Sequence, residues 1–224
     1  IGACAIATAQ SSVALGYSSI SGGNQSTALG ASSSASEIDA IAIGFKSQSD
    51  GLGSIAIGTE TRANGTDSMA LGYQTNASGI DAIAIGKTAK ASGIYSISMG
   101  AESKASGRSS TALGDRSIAS ANDSTALGKG AEATDISASA VGTESLSSGI
   151  GSLAVGTYTT ATKNASSAIG ARAEATAQSS VALGHSSMSS GVQSTALGTR
   201  SNATAKDAIA IGFKSQSDGL GSIA

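Results

Sequence analysis

SSVALGYSS (residues 11–19) closes an apolar run on Gly16, and STALGASSS (residues 26–34) repeats the phrase on Gly30, fourteen residues later. AIAIGFKSQ (40–48) and SIAIGTETR (54–62) continue it on Gly44 and Gly58. The glycine recurs from Gly2 to Gly212, sixteen times at intervals of fourteen, without insertion or deletion. A strict internal period of this kind decides the architecture before any single residue does.

The columns around the glycine are equally regular. The residue before it is aliphatic in every copy except Met99, and two before it stands alanine in every copy except Ser98. Four before it, only serine or alanine occurs; three after it, only Ala, Ser or Thr; five after it, only Ala or Ser. A second glycine column (Gly23, Gly51, Gly65, Gly79, Gly93, Gly107, Gly149, Gly191 and Gly219) lies seven residues after members of the first. Alternation inside each half-period is a β signal, and two glycines with many serines per unit disfavour helix. Each unit reads as strand, glycine turn, strand, glycine turn, with two five-residue strands and glycine taking positive φ at both corners. The expected fold is all-β, a parallel β-solenoid of fourteen-residue coils. At about 4.8 Å per coil, sixteen coils make a rod of roughly 75 Å.

Packing suggests an assignment of faces. Large residues on one wall should meet small ones on the other. We therefore expect the aliphatics before the glycine (Leu15, Ile43, Ile57, Leu71, Ile85) and three before it (Val13, Ile41, Ile55, Met69, Ile83) to point inward, against Ala63, Ala77, Ala91 and Ala105. That leaves Ala14, Ala28, Ala42, Ala56, Ala70, Ala84, Ala112 and Ala126 outside, on a flat face suited to close packing against copies of the same chain.

Composition agrees with a need for partners. Aromatic residues make up 3% of the chain, there is no Trp or Pro, and much of the 40% apolar fraction is alanine. Such a chain gains little from a conventional core. Net charge is −2, with charged residues scattered singly, so no stripe for nucleic acid or anionic lipid is evident. No apolar run approaches the length of a membrane span.

At this level of detail the repeated SVALG, STALG, AIAIG and SIAIG units resemble the head repeats of YadA-like trimeric autotransporter adhesins, over all 224 residues. The resemblance implies a left-handed parallel β-roll in a homotrimer, displayed on the bacterial cell surface. It implies attachment to a host extracellular matrix protein (collagen, fibronectin or laminin) or a cell receptor. The outer-membrane anchor would lie outside this segment. One departure is that asparagine never opens the phrase here. The chain is expected to be a single head segment, 1–224, of about sixteen coils. It opens on IG and closes on SIA, as an excerpt of a longer array would. Residues 8–56 match 176–224 at 39 of 49 positions, so the array has grown by copying blocks, which suits a spacer or a multivalent surface better than a single active site. Such an excerpt lacks polar caps at its ends and is expected to fray or pair end to end.

Candidate chemistry is sparse. His185 is the only histidine and Cys4 the only cysteine, so no catalytic triad, disulfide or histidine or cysteine metal site is expected, and no cofactor. Asp39, Asp67, Asp81, Asp123 and Asp207 share one column and could ladder. Tyr17, Phe45, Tyr73, His185 and Phe213 directly follow the repeat glycine, with Tyr158 one further on. These are the ligand-contact candidates, their alternative role being to shield corner glycines or touch a neighbouring subunit. Two rival functions are a passive spacer and a monomeric ice-binding solenoid. The second needs a threonine lattice, whereas threonine stands three before the glycine only at Thr27, Thr111, Thr125 and Thr195.

Overall fold

The computed structural model describes residues 2–224. The chain forms two compact units, Ile1–Asp115 and Arg116–Ala224. The first opens with β1 (Ile6–Ala7), β2 (Val13–Leu15), β3 (Ile20–Ser21) and β4 (Thr27–Leu29), and this alternation of two- and three-residue strands continues to Thr111–Leu113. Short strands pair only with short strands and long with long, all parallel and all offset by one period. Thus Ile55, Met69, Ile83, Ile97 and Thr111 stand in one register line, and Gln48, Arg62, Asn76, Lys90 and Lys104 in another. The second unit repeats the pattern, with Glu132, Leu146, Thr160, Glu174, Met188 and Asn202 in register on its short-strand side. Each unit is a parallel β-solenoid of fourteen-residue coils, joined coil to coil by backbone bonds such as Ile83 N–H to Ser96 O at 2.9 Å.

The strands are shorter than the five residues expected, because the corners take more of each coil. At the first corner Gly44 has φ +125° and Lys46, two residues on, has φ +54°; at the second, Asp67 and Asp81 have φ +54° and +53°. A left-handed third residue is what a tight turn of this handedness demands, and Asp tolerates that region better than most residues. The aspartate column is thus explained by backbone conformation. The two glycine columns differ in kind. The first takes positive φ throughout. The second does not; a Cβ on Gly79 would collide with the carbonyl of Gly93 in the next coil, so glycine there answers a close approach.

The faces are the reverse of the packing expectation. Ala28, Ala42, Ala56, Ala70, Ala84, Ala112 and Ala126 have no exposed surface and Ala14 has 8%, so all eight proposed interface alanines are core residues of their own chain. Their flanking aliphatics face out: Val13 is 53% exposed, Leu15 41% and Leu71 39%, while Ile41, Ile43, Ile55 and Ile57 are half-buried. The four columns restricted to Ala, Ser and Thr line the interior, and Ala56, Ala63, Ala70, Ala77, Ala82, Ala84, Ala89 and Ala91 form one such cluster. The physical reason is the circumference of the coil. Fourteen residues with two tight corners bring the walls so close that a methyl from each side fills the gap, leaving no space for a branched side chain.

Interior serines are satisfied within the coil, except Ser96, whose Oγ is buried without a hydrogen-bond partner. Ser26 Oγ donates to Gly23 O at 2.6 Å and Ser33 Oγ to Gly30 O at 2.9 Å, each closing a corner from inside. Ser98, the single exception in its alanine column, meets Ser103 Oγ at 2.7 Å.

Candidate functional site

Each coil presents two outward faces and two corners, and side-chain alternation settles what each carries. The long-strand face carries the aliphatic pairs, such as Ile83 and Ile85. The short-strand face carries variable polar residues: Gln48, Arg62, Asn76, Lys90 and Lys104 in the first unit, Glu132, Thr160, Glu174 and Asn202 in the second. Within each unit the column before the glycine is therefore an unbroken apolar line. The column three before it is interrupted by Thr27 and Thr111 in the first unit and by Thr125, Ser139, Ser167 and Thr195 in the second, and the short-strand face is the more polar of the two.

The ligand-contact candidates lie at the first corner. Tyr17, Phe45, Tyr73, Tyr158, His185 and Phe213 are all exposed. In the first unit Tyr17, Phe45 and Tyr73 recur every second coil, with Ala31 and Thr59 between them; in the second, His185 and Phe213 are likewise two coils apart, with Thr199 between. The rings are thus arranged in line rather than gathered into one pocket. Lys46 Nζ lies 5.0 Å from the Phe45 ring centroid, and Lys214 Nζ 5.1 Å from that of Phe213, within cation–π range. Cys4 is exposed with a free thiol.

Three features were not singled out in the sequence. Tyr95 is exposed at the second corner with φ +59°. Beside it, Ile38, Leu52, Ile80 and Ile94 form an exposed aliphatic column one residue ahead of the left-handed position. A groove of about 690 Å³ runs over the polar face of the first unit, where Lys46, Arg62 and Lys90 converge. The charges that look scattered along the chain are brought into line by the fourteen-residue register, which is the signal that would have found them. Among the described residues, no group of three His, Cys, Asp or Glu side chains is placed to hold a metal.

These surfaces define a class: a repetitive parallel β-solenoid whose exterior is an extended apolar face backed by a polar one. The description "YadA head domain repeat (2 copies)" matches residues 7–33, 35–61, 63–89, 91–117, 119–145, 147–173, 175–201 and 203–224. The chain belongs to the YadA head repeat family. It is also similar to the crystal structure of the collagen-binding domain of the Yersinia adhesin YadA, at 24% identity and a TM-score of 0.28, covering 78% of this chain and 66% of that one. No curated protein matches the chain.

Proposed function

We propose that this chain is an adhesive head segment of a trimeric autotransporter adhesin, displayed on a bacterial surface and binding a host matrix protein or receptor. The observation that carries the reading is the aliphatic face. A single chain leaves Val13, Leu15, Leu29 and Leu71 more than a third exposed, in ranks repeated at every coil. Contiguous apolar surface on that scale marks an interaction face. Copies of the same chain packed around an axis parallel to the stack of coils would cover it, and the family resemblance supports three of them. The interface thus consists of the aliphatic columns and not of the alanines first considered. Polar faces and corners stay outward in such an assembly, where weak contacts repeated over coils and chains add by avidity.

Sedimentation equilibrium of the 224-residue chain tests the assembly: a mass of three times 21.3 kDa is expected, and a folded monomer overturns it. Retention on collagen-, fibronectin- or laminin-coated surfaces tests the adhesive role. The block duplication of 39 matched positions in 49 favours a second reading, a passive spacer of adjustable length. A trimer that binds none of the matrix proteins would select it.

A further inference from the structure

The groove on the polar face of the first unit has the features of a ligand site. It runs between the column two after the repeat glycine, represented by Lys46 and Gln74, and the column four after it, represented by Gln48, Arg62, Asn76 and Lys90. Lys104 pairs in register with Lys90 and carries the cationic line one coil further. Like charges on neighbouring strands repel, and between Gln48 and Lys104 this column contains no carboxylate to offset them. Asp39, Asp67 and Asp81 stand at the other corner, while Glu60 and Glu102 share the column of Lys46 and Gln74. In the second unit the equivalent column holds Glu132 and Glu174 and no cation. The line of positive charge is therefore local, on a chain whose net charge is −2.

Hydrogen bonding within the groove is incomplete. Glu60, the one carboxylate lining it, accepts from Gln74 Nε2 at 2.8 Å, and Arg62 Nε donates to Gln48 Oε1 at 2.9 Å. Among the described residues, neither Arg62 nor Lys90 has an ion-pair partner. Asn76 Oδ1 is buried without any hydrogen-bond partner, a state shared by Asn202 Oδ1 in the same column of the second unit. Phe45 and Tyr73, both exposed, do not line the groove but are next in sequence to its lining residues Lys46 and Gln74, and Lys46 Nζ lies 5.0 Å from the Phe45 ring centroid.

Cations for acidic groups, amides for hydroxyls and aromatic faces for sugar rings are the three contacts that an acidic polysaccharide uses. Their spacing fits as well. Arg62 and Lys90 are two coils apart, as are Phe45 and Tyr73, and two coils span about 9–10 Å, on the scale of one disaccharide of an extended chain. We infer that this groove binds a linear acidic polysaccharide laid along the stack of coils, with Arg62 and Lys90 on its acidic groups, Asn76 on a hydroxyl, and Phe45 and Tyr73 under its rings. A duplex nucleic acid needs a broad basic surface; here Asp50, Glu60 and Glu102 border the cations. The inference deepens the adhesive reading by naming a ligand class for one surface, and rests on it only in taking the aliphatic face to be the one covered by other copies.

The test is titration of the 224-residue chain with heparin fragments of defined length, for sulfated animal-type chains, and with alginate, for carboxylate-only polymers of bacterial type. Binding to either supports the groove, and the tighter of the two indicates the source. The combined Lys46→Gln, Arg62→Gln and Lys90→Gln variant, all at exposed positions, should bind at least tenfold more weakly with an unchanged circular dichroism spectrum. Glu132→Gln with Glu174→Gln should alter binding less than twofold. Affinity should fall as salt is raised, and neutral dextran should not bind. Undiminished binding by the triple variant, equal affinity for duplex DNA, or no binding of either polymer by the native chain overturns the inference. Assaying the same variant on matrix proteins keeps the two proposals apart: matrix retention without polysaccharide binding sinks the groove alone.

Discussion

Ser49 and Ser54 face each other across the interior of one coil, Oγ to Oγ at 2.6 Å, and both are fully buried. Ser49 Oγ also reaches Ser54 O at 2.8 Å, and Ser54 Oγ donates to Gly51 O at 2.7 Å, so one hydroxyl pair ties a strand to the adjoining corner. The same pair recurs at Ser21 and Ser26, Ser147 and Ser152, and Ser189 and Ser194, whereas other coils place Ala77 and Ala82 at these positions. Every buried serine five after the glycine has a serine partner.

Removing one member should therefore cost more than its share of removing both. Ser49→Ala or Ser54→Ala alone is expected to destabilise by about 1–2 kcal/mol, and the double variant by less than the sum, because it recreates an alanine coil. A double-mutant cycle by urea denaturation measures the coupling. Strict additivity would show that the hydroxyls do not act as a pair.

Interior width sets the second prediction. Ala84→Leu places a branched side chain where the wall opposite leaves space for a methyl, and is expected to cost at least about 1–3 kcal/mol. Thermal melting followed by circular dichroism would detect it. Neutral behaviour would mean that the coil can widen.

The outer columns should respond in the opposite way. Ile83→Ser with Ile85→Ser is expected to leave the circular dichroism of each chain nearly unchanged while shifting the sedimentation mass toward 21.3 kDa. Loss of β-structure in a monomer would instead show that folding and association are inseparable.

Two glycines separate strain from clearance. Gly86 has φ +130°, and a Cβ there would lie 2.5 Å from Gly100 O; Gly151 has φ +61° and open space around it. Gly86→Ala is expected to cost about 1–3 kcal/mol or more, through strain and the collision with Gly100, and Gly151→Ala the smaller cost of a left-handed alanine, about 1–2 kcal/mol, at a position that Asp67, Tyr95 and Ser137 occupy in other coils. Comparing the two denaturation midpoints checks the order.

Much of the molecule was legible without coordinates. The period of fourteen dictated parallel, in-register coils, because no other stacking keeps like columns adjacent along so many copies. The position of the corners followed from glycine and from the positions restricted to small residues. What could not be read was which side of the long strand faces in. Ile83, Ala84 and Ile85 alternate between two apolar sets, so hydrophobicity favours the larger set as core, and only the distance between the walls contradicts it. That distance is a property of the closed coil: two tight corners consume most of fourteen residues and hold the strands a methyl's width apart. The groove was hidden for a related reason. Arg62, Lys90 and Lys104 share one column of the fourteen-residue register, so their line was legible in the sequence, whereas the groove between that column and the one of Lys46 and Gln74 took shape only when the fold stacked coil upon coil. Local pattern thus determined the repeat, its register and its turns, while the choice of inside and outside, and the groove on the polar face, belonged to the tertiary structure, where the space enclosed by the backbone outweighs the preference of any single side chain.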